Sequence, residues 1–257
     1  MTMAACFEPH TFALRVRGLS KTYYNSPAPV WSNISFDIPS GQRVAIVGGN
    51  GAGKSTLLRC CMRMIESDTG EVYFDGNNIS LMRGKALTNA RAKVGFVSQK
   101  HNLIGRLSVL SNVLHGGMAW SRSPGLWFQG LASNDNREYA MHCLAQVGLA
   151  HLCKRRVDGL SGGQSQRVAI ARALMQKPRM IFADEPVASL DPQAGEDVMQ
   201  LFSDLATNEK LTLVFVTHHL EHALQYADRI LGLRNFQLSL DAFAQEVNVR
   251  QLRGMYE

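Results

Sequence analysis

A chain of 257 residues with 46% hydrophobic and 19% charged residues can bury a full core as one domain, and this balance excludes a disordered polymer. No apolar run reaches the ~18 residues of a membrane span. The first residues lack the basic start and apolar run of a secretory leader, so a cytoplasmic chain is expected. The net charge of +6 is mild, and the run Lys154-Arg155-Arg156, with no aromatic between its cations, reads as a solvated face rather than a nucleic-acid groove. Five cysteines, Cys6, Cys60, Cys61, Cys143 and Cys153, form an odd set without a CxxC pair. They favour neither a disulfide framework nor a zinc site, and buried or neutral thiols are expected.

Residues 1–11 show no period and read as an N-terminal extension to a domain covering 12–257. From Phe12 onward Leu14 and Val16 alternate with Arg15 and Arg17, and Ile34, Phe36 and Ile38 continue the period of strands with one wet face. An antiparallel layer is expected there. "RVAIVG", apolar on consecutive positions, reads as a strand covered on both faces. It runs into "GGNGAGKST", which matches G-x-x-x-x-G-K-[ST] in full and is followed by helical "KSTLLRCCMRMI". The residues Gly48, Gly49, Asn50, Gly51, Ala52, Gly53, Lys54, Ser55 and Thr56 are therefore expected to cradle phosphate, as glycines free backbone N–H groups to turn inward at a helix start. Lys54 bridges the β- and γ-phosphates, and the Ser55 hydroxyl ligates Mg²⁺.

"GEVYFDGNNIS" reads as a strand and turn, and residues 105–158 carry mostly helical patterning around the aromatic-tipped "WSRSPGLWFQG". In "LSGGQSQRVAIARAL" Ser161 and Gln164 form a capping box, and Val168, Ala171 and Leu174 give the helix an apolar stripe that ends at Lys177-Pro178. Capping does not require Gly162-Gly163, each costing about 1 kcal/mol against alanine. Bare backbone at a helix start is suited to the close approach of an anion.

"RMIFADE" and "LTLVFVTHH" repeat the buried-strand pattern and end in polar groups, so three strands deliver chemistry to one crevice beyond their carboxyl ends. Asp184 is suited to hold Mg²⁺ through water, and Glu185, unless an ordinary surface carboxylate, to polarise an attacking water. His218 can sense the γ-phosphate; His219 is expected to be solvated. One magnesium constellation with two phosphate-binding helix starts implies two subunits facing each other, each lending Ser161-Gly162-Gly163 to the nucleotide on the other's loop. Near the end, "VNVRQLRGMY" reads as a short helix.

"LSGGQ" beside a complete phosphate loop resembles the ATP-binding-cassette family over nearly the whole chain. The resemblance implies an α/β fold: a P-loop NTPase (RecA-like) core with a parallel sheet, an antiparallel β subdomain, and a helical signature subdomain at about 100–175. It implies ATP and Mg²⁺ as cofactors and a homodimer closing on two ATP molecules. By position, Tyr23 resembles the adenine-stacking aromatic, with Tyr24 as the alternative. Gln99 resembles the glutamine that touches Mg²⁺ and the attacking water, or is a polar strand end. Ser189-Leu190-Asp191 resembles the loop crossing the dimer interface, or caps the helix before Pro192. Family members often place a glycine hairpin where this chain has Asn235-Phe236, and phenylalanine resists positive φ, so a tight primed turn is not expected there.

About sixty residues separate Gln99 from the signature, too few for long coiled-coil arms. The resemblance therefore implies a transport ATPase on the cytoplasmic face of the inner (plasma) membrane. Its implied partners are two integral membrane permease subunits and a periplasmic or extracellular solute-binding protein, with no nucleic acid. Leu110, Val113, Trp120 and Trp127 are candidates either for the permease contact or for core packing. "HNLIGRLSVLSNVLHG" resembles the matching segment of phosphonate-importing members. The alternatives are an ATPase serving another solute or a soluble phosphonate-degrading assembly.

Overall fold

The computed structural model describes residues 12–24, 28–121 and 124–256. The expected extension at 1–11, with Cys6, lies outside them, as do Arg122 and Ser123 of the aromatic-tipped stretch. The chain opens with strands β1 (Phe12–Lys21) and β2 (Trp31–Pro39), then β3 (Arg43–Gly48) and helix α1 (Lys54–Cys61). Strands β4 (Thr69–Phe74) and β5 (Asn77–Asn78), helix α2 (Gly84–Ala92) and strand β6 (Val94–Ser98) follow. Three helices come next: α3 (Val109–Leu114), α4 (Asn134–Gln146) and α5 (Gly162–Leu174). The remainder alternates as β7 (Met180–Asp184), α6 (Pro192–Asn208), β8 (Thr212–Val216), α7 (Leu220–Tyr226), β9 (Arg229–Arg234), β10 (Gln237–Phe243) and α8 (Val249–Arg253).

Two sheets form. The smaller is antiparallel in the order β2-β1-β4-β5, and the larger runs β10-β9-β3-β8-β7-β6. In the larger sheet β9, β3, β8, β7 and β6 are mutually parallel and only β10 runs against its neighbour. The consecutive apolar residues of β3 explain its central place, because both of its faces are buried. Val44 and Ile46 face the antiparallel layer, packing with Leu14, Val16, Ile34 and Leu58. Ala45 and Val47 face the helical side, with Val113, Leu144, Ile170 and Phe202. Phe182 of β7 and Phe215 of β8 serve opposite faces and are both fully buried. Truncating either to alanine is a change of about 3–5 kcal/mol. This is an α/β P-loop NTPase architecture.

One expectation is corrected by the fold and one pair of alternatives is decided by it. Arg234 pairs with Gln237 in the β9–β10 ladder, leaving Asn235 and Phe236 as a two-residue loop with φ of 50° and 64°. A tight turn with both central residues left-handed does form, as a primed turn requires. The phenylalanine's left-handed conformation costs about 1–2 kcal/mol. Ladder pairing on both sides and the Ser32 N–H donating to the Phe236 carbonyl at 2.8 Å hold it there. Leu110 and Val113 are buried in the core, so packing accounts for them. Trp120 and Trp127 are exposed. Cys60, Cys61 and Cys143 are buried free thiols, and burial pushes the Cys143 thiol up to about 12. Lys154, Arg155 and Arg156 are exposed, Arg156 pairing with Asp158.

Candidate functional site

The parallel strands β3, β7 and β8 end on the same edge, and the turns leaving them carry the charged groups. α1 is preceded by Gly53 at its N-cap, whose φ of 86° suits glycine. A Cβ there would lie 2.3 Å from Val30 Cγ1 and 2.7 Å from Trp31 Cδ1. No acidic residue stands in the first turn and no side chain caps it, so its N–H groups are available to an anion. Lys54 is buried, and its Nζ donates to the carbonyls of Gly48 at 2.8 Å and Gly49 at 3.0 Å. Burial pulls its pKa below the usual lysine value, while the nearby charges of Glu185 and Asp184 oppose that shift.

Asp184, 3% exposed, accepts from Ser55 Oγ at 2.6 Å and from Arg59 Nη2 at 3.3 Å. A serine hydroxyl and a carboxylate converging at the end of a buried strand form the hard-oxygen donor set that suits Mg²⁺ completed by phosphate and water. Glu185 takes a left-handed φ of 50°, a strain of about 1–3 kcal/mol. The turn carries its Oε1 to 2.7 Å from His218 Nε2. His219 points outward, exposed, with its ring centroid 4.9 Å from that of His222.

A cleft of about 330 Å³ joins these groups, lined by Tyr23, Val30, loop residues between Asn50 and Thr56, Glu185 and His218. Tyr23 rather than Tyr24 borders it: its hydroxyl is 3.3 Å from Thr56 Oγ1, whereas Tyr24 is fully exposed. Gln99 lies one residue beyond Ser98, the Cα partner of Asp184 in the β6–β7 ladder, and is exposed at the same end of the sheet.

Ser161, Gly162, Gly163 and Gln164 do not line this cleft. Ser161 Oγ accepts from Gln164 N at 3.2 Å, and Gln164 Oε1 accepts from Ser161 N at 3.1 Å, forming the capping box of α5. Asp191 caps α6, accepting from Ala194 N at 3.0 Å ahead of Pro192. The two glycines also have a reason within the chain. A Cβ on Gly162 would come 3.1 Å from Leu190 Cδ2, and one on Gly163 would come 3.3 Å from Ala194 Cβ.

Two neighbours of the site escaped the sequence reading. Arg172 of α5 donates at 2.6 Å to both the His101 and Asn102 carbonyls, two consecutive left-handed residues just beyond Gln99. An arginine amid the apolar "AIARAL" was the only sign of it. Tyr256, near the chain end, donates to the Thr217 carbonyl at 3.3 Å, beside His218. Nothing in the sequence ties it to that position.

Comparison with known proteins places this arrangement among relatives. The family described as ABC transporter matches residues 31–188. The chain is 42% identical over 237 residues, 91% of each protein, to the phosphonates import ATP-binding protein PhnC of Treponema denticola. It is 38% identical over 248 residues to the PhnC of Bordetella parapertussis, covering 95% of this chain and 96% of that protein. Among solved structures it resembles the dimeric post-hydrolysis state of the ATP-binding cassette MJ0796 bound to ADP and Pi. The TM-score is 0.79 at 33% identity, covering 90% of this chain and 98% of the other. A second match is cbiO1 from Clostridium perfringens, part of the ABC transporter complex cbiONQ, with a TM-score of 0.82 at 27% identity and coverage of 95% and 93%.

Proposed function

This chain belongs to the ABC transporter family as an ATP-binding, ATP-hydrolysing subunit, and on that premise we propose that it energises import of phosphonates or related phosphorus oxyanions. Transport runs through separate membrane permease subunits; among the described residues no helix is long and apolar enough to cross a membrane. The chain acts at the cytoplasmic face of that membrane, with a solute-binding protein delivering cargo from the other side. The cargo reading is supported by relatives bearing the phosphonate name at 42% and 38% identity over nearly their full lengths.

Tyr23 stacks on adenine, and the loop from Gly48 to Thr56 wraps the phosphates. Lys54 leaves the Gly48 and Gly49 carbonyls to meet the β- and γ-oxygens. Ser55, with Asp184 acting through water and Gln99 nearby, would hold Mg²⁺, whose charge would offset that of the phosphates. Glu185 orients the attacking water and accepts its proton, while His218 holds the γ-phosphate oxygen and the Glu185 carboxylate in one arrangement. Phosphoryl transfer draws its rate from such positioning and charge stabilisation. The second subunit contributes Ser161, Gly162, Gly163 and Gln164 across the interface, with Asp191 beside them. The observation that carries the turnover reading is the 2.7 Å Glu185–His218 contact on the wall of the phosphate-loop cleft.

The test is reconstitution of the chain with its permease and receptor in vesicles, measuring phosphate release and ATP-driven uptake of methylphosphonate. Release coupled to uptake is expected. Binding of MgATP without release would refute the enzyme, and transport of sulfate but not methylphosphonate would refute the cargo.

A further inference from the structure

We propose that Tyr256 is a positioning residue for His218, reaching the reaction centre from the far end of the chain. The inference rests on the role assigned above to His218. What marks Tyr256 out is how firmly residues 248–256 are built into the site. Asn248 and Gln251 cap α8 reciprocally, Oδ1 accepting from Gln251 N at 3.0 Å and Oε1 accepting from Asn248 N at 2.9 Å. Leu252 is fully buried. Met255 lies over Gly232 of β9, where any Cβ would fall 2.7 Å from Met255 Cε, so the bare backbone there makes its seat. The turn continues with Met255 N donating to Leu252 O at 3.0 Å and Tyr256 N to Arg253 O at 2.9 Å.

These restraints set Tyr256 between the first and last parts of the crevice. Its backbone lies 3.9 Å from where a Cβ on Gly49 would stand. Its ring centroid is 6.3 Å from that of His218, tilted by 60°. Its hydroxyl donates to the carbonyl of Thr217, the residue before His218. Thr217 is buried, and each of its other polar groups is also bonded: N donates to Ile46 O at 3.3 Å, and Oγ1 accepts from His219 N at 3.0 Å. The carbonyl belongs to the peptide that joins Thr217 to His218, whose imidazole meets Glu185, and Tyr256 holds it. Burial raises the phenol above its ordinary pKa, opposed by the hydrogen bond from the Gly48 backbone and aided by the charge of Glu185, and the hydroxyl stays a neutral donor throughout the working pH range.

Tyr256→Phe keeps the ring and removes the hydroxyl, and with it both the bond to the Thr217 carbonyl and the hydrogen bond from the Gly48 backbone. In the reconstituted transporter kcat is expected to fall about tenfold with KM for MgATP within about twofold, the mark of an interaction felt in the transition state. Melting temperature is expected to move by less than about 2 °C. Under single-turnover conditions that keep slow hydrolysis readable, adding Tyr256→Phe to His218→Ala is expected to cost less than about twofold more, because the two act as one unit. A wild-type kcat in Tyr256→Phe, a full second tenfold loss in the His218→Ala background, or a drop in melting temperature beyond about 5 °C would each overturn the proposal. The underlying reading fails separately, if His218→Ala turns over like the wild type.

Discussion

At the scale of single residues, Lys54 and Glu185 hold complementary kinds of readiness. The ammonium is buried among carbonyls with no carboxylate bonded to it, so phosphate oxygens replace weak acceptors with charged ones. The carboxylate is fixed by its turn and by His218. Glu185→Gln keeps the shape and removes the base, so MgATP binding is expected to persist while phosphate release falls by about 10²–10⁴-fold. Size-exclusion chromatography with MgATP is expected to show a persistent dimer, and a monomer there would count against the clamp. The phosphate loop, Asp184 and His218 were legible because each stands at a motif or strand end that announces its own geometry. The left-handed φ of Glu185 and the carbonyl targets of Arg172 were not, since both depend on where other parts of the chain pass.

Among elements, the β9–β10 hairpin shows how tertiary structure overrides a local preference. Phe236 is half exposed, and its carbonyl, not its ring, makes the link to β2. Phe236→Gly is therefore expected to stabilise the protein by about 1 kcal/mol, a rise of about 2 °C in melting temperature by calorimetry. Strand and helix periods were readable for β1, β2, β3, β7, β8 and α5 because burial on one or both faces stamps a pattern on the residues. The loop after Gln99 carries no such period. Its two left-handed residues are held by Arg172, whose burial pulls the guanidinium pKa down. Likewise, Gly162 and Gly163 read as an anion site from sequence alone, yet they also let α5 meet Leu190 and Ala194 closely. The start of α5 and the entry to α6 are packed as one piece.

For the whole molecule, the decisive feature is that Ser161–Gln164 stand apart from the phosphate-loop cleft of their own chain. A mixed dimer with Lys54→Ala in one subunit and Ser161→Arg in the other is expected to retain one intact composite site and measurable phosphate release. Both substitutions in one subunit, beside a wild-type partner, are expected to damage both sites and abolish release. The reverse pattern would mean that each chain serves only itself. The strand order adds a mechanical asymmetry. β3, with a neighbour on each side, anchors the nucleotide in the interior of the sheet, whereas β6, which ends one residue before Gln99, is bonded to β7 alone. Shifting the rim disturbs one ladder where shifting the hub would disturb two, so push and pull from outside can reach the reacting phosphate through a pliant margin while the seat that holds it stays still.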